Sequence, residues 1–162
     1  MNILFVCSGN LCRSPLAAAL LRHRVSYPPT SDDAMQSTPD IQIKSAGTAA
    51  SAGHPMSFAM EVILQEQGID STHQSQRLNW PLMDWADLVL TMTCPQKILL
   101  VAQFPQTTAK LFTLNEYVGN ITQPDIEDPY GTDLESYRQC AVEIETACDR
   151  LLAKIHPSQI SH

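Results

Sequence analysis

Apolar positions open the chain almost without interruption: Ile3, Leu4, Phe5, Val6 and Cys7 follow Asn2. So short and so apolar a run predicts a strand over 2–7, buried on both faces of a parallel sheet. Pro15 to Val25 gathers good helix formers and predicts a helix over 15–26, with the proline in its first turn. Alternation in Ile41-Gln-Ile-Lys-Ser45 predicts a second strand, and Met56 to Gln67 an amphipathic helix stopped by Gly68. Asp87 to Met92 reads as a third strand, Pro95 to Gln103 as a helix, and Lys110 to Thr113 as a short fourth strand. From Thr132 to Ile155 the apolar positions Leu134, Tyr137, Ala141, Ile144, Ala147, Leu151 and Ile155 recur with a period of about 3.6, one face of a long helix.

Strands alternating with helices predict an α/β fold: one domain over 1–156, with a four-stranded parallel sheet and helices on both faces. Residues 157–162 read as a tail. Residues 28–39 are rich in Pro, Ser, Thr and Asp and read as an exposed loop. With 162 residues the chain is large enough for a proper core, and its 44% hydrophobic content is ordinary for a globular protein.

The net charge of −7 argues against a nucleic-acid partner, which requires a basic face. No apolar run reaches the ~18 residues of a membrane span, and no leader pattern opens the chain, so the expected location is cytoplasmic, with no membrane partner. The five cysteines, at 7, 12, 94, 140 and 148, show no zinc-site spacing, and neither do the histidines.

The chemistry lies in Cys7-Ser8-Gly9-Asn10-Leu11-Cys12-Arg13-Ser14. This octet joins the first strand to the first helix. A loop there turns its backbone N–H groups inward at the positive end of the helix dipole, which suits an anion. Gly9 and Asn10 tolerate the left-handed conformation of a tight cradle. Arg13 can grip two phosphate oxygens with its planar fork. Cys7 would lie below the phosphorus, where loop amides, dipole and Arg13 favour an anionic sulfur, with Ser14 donating a hydrogen bond to it. The alternative is a buried structural cysteine with a surface arginine nearby. The flanking strand and helix favour the chemical reading.

Cleaving a phosphoester also needs a proton for the leaving oxygen. Asp128 is the expected acid, because Pro129 stiffens the backbone just after it. An acidic surface turn is the competing reading of Asp128-Pro-Tyr-Gly131. Asp125 and Glu127 are expected to face solvent. The predicted reaction uses Cys7 as nucleophile, passes through a phosphocysteine and needs neither metal nor cofactor.

The octet with Pro15, then Ser45-Ala-Gly-Thr48, Gly53-His-Pro55, Gly68-Ile69, Ala86-Asp-Leu-Val-Leu-Thr-Met92 and Asp128-Pro-Tyr130, resembles the low-molecular-weight protein-tyrosine phosphatase family. The likeness covers nearly the whole chain apart from about Tyr27 to Pro39 and the last few residues. It implies Cys7, Arg13 and Asp128 as catalytic residues, Ser8 to Ser14 as the phosphate loop, and Leu11 and Tyr130 as pocket walls. It also implies a bracing network of Asn10, Ser14, Ser45 and His73. A half-buried His73 satisfied by any carbonyl is the other reading of that histidine. Cys12 shares the loop with Cys7. The family uses its second loop cysteine as a protective disulfide partner, although simple packing under the loop explains Cys12 equally well.

Family members act on phosphotyrosine, on phosphoarginine in one bacterial branch, or reduce arsenate. Leu90-Thr-Met-Thr93 and Phe112 to Val118 resemble the arginine-phosphatase branch. Leu11 stands where that branch carries threonine, and a bulky aliphatic group there favours a flat aromatic ring. Arsenate reduction needs a further cysteine pair that Cys94 lacks. The expected partners are phosphorylated proteins, with the chain a monomer or weak dimer. A phosphopeptide-binding module without catalysis is the alternative from another class, and it would need neither Cys7 nor Asp128.

Overall fold

The computed structural model describes residues 1–28 and 40–156. The loop expected over 28–39 and the tail expected over 157–162 therefore lie outside the described residues, except for Pro28. The elements run β1 (Asn2–Cys7), α1 (Arg13–Ser26), β2 (Gln42–Gly47), α2 (Phe58–Glu66), α3 (Trp80–Trp85), β3 (Leu88–Thr91), α4 (Cys94–Gln103), a 3-10 turn (Pro105–Lys110), β4 (Leu111–Thr113), α5 (Leu114–Tyr117) and α6 (Leu134–Ile155).

All four strands are parallel, in the order β2-β1-β3-β4. The apolar run of β1 is nearly continuous because both faces are covered. Ile3, Phe5 and Cys7 point into one core with α1, α2 and α6. Leu4 and Val6 point into the other, against Leu82, Met83, Leu100 and Phe104. Strand geometry sends successive side chains to opposite faces, so one sequence run serves two layers. Phe5, Leu16, Leu20 and Met60 are at most 1% exposed. Each such side chain contributes about 1.5–3 kcal/mol of burial free energy.

β2 is an edge strand. Its outward carbonyls are capped by side chains: Arg22 donates from Nε and a terminal nitrogen to the Ile43 oxygen, and Gln76 from Nε2 to the Ser45 oxygen. Such caps deny the edge to another strand.

Three short elements lie beyond the sequence expectations. They are α3, the 3-10 turn and α5, each too short to show periodicity. Helix α3 is started by Asn79, whose side chain accepts from the Leu82 N–H, and Thr113 does the same at α5 for Glu116. Helix α1 begins at Arg13, two residues before Pro15, so the loop passes directly into the helix. In register, Cys7 pairs with Gly47, and Val6 with both Ala46 and Thr91. The loop after β1 therefore emerges at the carboxyl edge of the sheet, where ligands of open α/β sheets bind.

Candidate active site

The octet folds back on itself through Asn10. This residue is fully buried and holds φ of 56°, the described non-glycine residue with positive φ. Its side chain makes the conformation possible. Nδ2 donates to Ser14 Oγ at 2.9 Å and to Ser45 Oγ at 3.0 Å, while Oδ1 accepts from the Gln76 N–H at 3.0 Å. His73 Nε2 lies 2.7 Å from the Asn10 carbonyl oxygen, which can only accept, so the Nε2 proton is fixed. Burial holds the His73 pKa below the ordinary histidine value.

Cys7 Sγ sits 2.9 Å from Ser14 Oγ. The Ser14 oxygen already accepts from Asn10, so its own proton can go to the sulfur or to the Ala46 carbonyl oxygen, 3.4 Å away. Arg13 is 4% exposed. One guanidinium nitrogen donates to the Ile126 carbonyl at 2.9 Å, and another lies 3.4 Å from Asp128 Oδ2. Asp128 itself is half exposed, and its Oδ1 accepts from the Tyr130 N–H at 3.1 Å. The segment carrying Asp128 is pinned by Ile126, whose N–H donates to the Met92 oxygen at the end of β3.

The loop is also braced from β2. The Thr48 and Ala49 N–H groups donate to the carbonyls of Cys7 and Ser8, each at 3.0 Å. Gly47 allows this approach, because a Cβ there would stand 2.5 Å from the Ser8 oxygen and 2.9 Å from the Asn10 nitrogen.

The family model described as "Low molecular weight phosphotyrosine protein phosphatase" matches residues 2–160. The chain belongs to this phosphatase family. It is 41% identical to a protein-arginine-phosphatase of Geobacillus stearothermophilus over 98% of each chain. It is 34% identical to the probable low molecular weight protein-tyrosine-phosphatase EpsP of Ralstonia solanacearum over 95% of each. The solved YwlE arginine phosphatase from Geobacillus stearothermophilus superposes with a TM-score of 0.86 at 40% identity, covering 99% of this chain and 96% of that one.

Within this phosphatase fold, the structure sets Cys7 against Ser14, pairs Arg13 with Asp128, and gathers Asn10, Ser14, Ser45 and His73 into one network. Leu11 is partly buried against the core, and its carbonyl accepts from the Ser57 N–H at 2.8 Å. Tyr130 is 78% exposed beside Asp128, and Phe58, next to Ser57, is 79% exposed. Both are free to meet a ligand from solvent.

Cys12 is buried as the residue that caps α1. Burial pushes its thiol above the ordinary range, and charge on Asp128 and Cys7 pushes the same way. Burial likewise raises Cys140, to about 12, and raises Cys148 as well.

One expectation needs correcting. Asp125 does not simply face solvent: it is half-buried, and its Oδ1 accepts from the Cys94 N–H at 2.7 Å, at the start of α4. Glu127 is exposed, as expected. Sequence reasoning missed Gln76 and Gln96. Gln76 gives no local signal, since the fold brings it to Asn10 from 66 residues away. Gln96 could have been found, because Thr93 and Gln96 have capping-box spacing. Among the described residues no three His, Cys, Asp or Glu side chains converge so as to hold a metal ion.

Proposed function

We propose that this phosphatase hydrolyses phosphotyrosine in protein substrates through a phosphocysteine intermediate. The observation that carries the reading is the convergence of Cys7 Sγ, the Ser14 hydroxyl, the buried Arg13 guanidinium and the Asp128 carboxyl around one loop. Binding alone would use neither the thiol nor the acid. A dianionic phosphate takes the ring of loop amides and the fork of Arg13. The Cys7 thiolate attacks phosphorus in line, forming the S–P bond as the P–O bond to the tyrosine breaks. Asp128, protonated, gives its proton to the phenolate oxygen. It then takes a proton from water, which attacks phosphorus, releases inorganic phosphate and returns the thiolate. Ser14 donates to the sulfur as it leaves. Residues 1–156 carry this reaction as one domain.

Leu11 favours phosphotyrosine. Its aliphatic side chain sits on the loop beside the phosphate position and offers a flat ring an apolar surface, with Tyr130 on the acid side. A second reading, phosphoarginine, is favoured by the 41% identity to the Geobacillus stearothermophilus protein-arginine-phosphatase. The two are separated by kcat/KM on a phosphotyrosine and a phosphoarginine peptide, in wild type and in Leu11→Thr. The proposal expects phosphotyrosine to be preferred by the wild type, with the ratio moving toward phosphoarginine in the variant. A wild type faster on phosphoarginine overturns the substrate assignment. Undiminished turnover by Cys7→Ser overturns the covalent scheme.

A further inference from the structure

We infer that Gln96 is a positioning residue, which aims the hydroxyl proton of Ser8 at the bound oxyanion. This deepens the phosphatase reading and rests on it. Gln96 lies on α4, 88 residues from Ser8 in sequence, and is 7% exposed. Both ends of its amide are committed. Oε1 accepts from the Met92 N–H at 3.0 Å and the Thr93 N–H at 3.2 Å. Two donors on one atom fix that atom as the oxygen, so the other end is the NH2. That Nε2 donates to Ser8 Oγ at 3.1 Å.

The direction of this bond matters. A serine hydroxyl has one proton to give. Ser8 Oγ is the acceptor toward Gln96, so its proton stays free, and no acceptor among the described residues takes it. Ser8 is exposed and follows Cys7 directly. Its hydroxyl is then an added donor beside the loop amides, left unpaired until a phosphate oxygen arrives. The capping box of α4 supplies the rigidity: the Gln96 N–H donates to Thr93 Oγ1 at 3.3 Å while Gln96 Oε1 accepts from Thr93. Helix start and loop donor are therefore set by one side chain.

The nearly isosteric change Gln96→Glu tests this. The carboxylate still accepts from the Met92 and Thr93 N–H groups, so the cap survives. Its second oxygen accepts from Ser8, which turns the hydroxyl round and withdraws its proton from the ligand. Four proteins are compared: wild type, Gln96→Glu, Ser8→Ala and the double variant. For each, kcat/KM on p-nitrophenyl phosphate, the Kd of tungstate as an inert oxyanion, and Tm are measured.

Gln96→Glu should keep Tm at or above the wild-type value while losing about tenfold in both tungstate affinity and kcat/KM. Part of that loss is the added charge, which acts with or without Ser8. In the Ser8→Ala background the same substitution should cost at least threefold less, since there is no hydroxyl left to turn. Equal losses in the two backgrounds overturn the role of Gln96 while leaving the phosphatase reading intact. A wild type that neither turns over substrate nor binds tungstate overturns both. Should Gln96→Glu lower Tm, Gln96→His supplies the second arm: a donor to Ser8 retained on a different frame should restore tungstate affinity to within threefold of wild type, and failure to do so with Tm intact counts against the proposal.

Discussion

Arg13 and Asp128 meet across the mouth of the site, guanidinium nitrogen to carboxylate oxygen at 3.4 Å, although one is 4% exposed and the other 50%. The arginine is fixed by its bond to the Ile126 carbonyl. The carboxylate is attached on one side and wet on the other. On the proposed mechanism an incoming phosphate would compete for the same guanidinium, weakening the ion pair and freeing the carboxyl group for proton transfer.

Asp128→Asn separates these roles. The amide oxygen still accepts from the Tyr130 N–H, so the turn persists. The proton is lost. Turnover should fall by ~100- to 10,000-fold. Tungstate binding should hold or tighten, because Arg13 no longer has an anionic rival. Parallel losses in rate and tungstate affinity would contradict this division of labour.

Asn10→Ala removes three side-chain hydrogen bonds from a fully buried position. It should cost about 3 kcal/mol, read as a shift in urea midpoint. Asn10→Gly loses the same bonds but accepts φ of 56° freely, so it should be milder by about 1 kcal/mol. If glycine is no better than alanine, the left-handed backbone is not a source of strain at this site.

Gly47→Ala places a methyl 2.5 Å from the Ser8 oxygen and 2.8 Å from the Ala50 Cβ. Backbone cannot step aside as a side-chain tip can. The expected cost is about 1–3 kcal/mol of stability, together with a weaker Kd for tungstate as the loop is pushed away from β2. Unchanged tungstate affinity would show that the brace does not shape the cradle.

His73 sets a pH dependence. Burial lowers its folded pKa below the unfolded value of 6.5, so the unfolded chain binds the extra proton first. Stability linked to this residue is intact above 6.5 and is lost as pH falls from that value toward the folded pKa. Between about pH 7.5 and about pH 5, wild type should lose more Tm than His73→Gln, whose amide can still donate to Asn10 but does not titrate. Equal losses would remove His73 from the acid response.

β1 and β3 were legible because burial on both faces leaves a plain apolar trace, as at Ile3 to Val6, and the edge strand β2 by its alternation. The long helix was legible by its stripe from Tyr137 to Leu151. The octet was legible because its parts are contiguous. What escaped was short or distant. Helix α3 is Trp80–Trp85, six residues, and its starting signals are only the Asn79 side chain and Pro81 in the first turn. Asp125 looked like surface because the N–H it satisfies belongs to Cys94, 31 residues earlier. The residues behind the loop, Ser45 and His73, came from family likeness rather than local pattern, since no periodicity marks a polar side chain whose partner is elsewhere in the chain.

The remoteness of the Asn10 partners, 35, 63 and 66 residues away, has a consequence for biosynthesis. In a chain leaving the ribosome Cys7 emerges before Ser45, His73 and Gln76, the supports of the cradle, and Asp128 emerges later still. Long-range closures of this kind form slowly. A partly made copy lacks these supports, so on the proposed mechanism turnover would await completion of the fold.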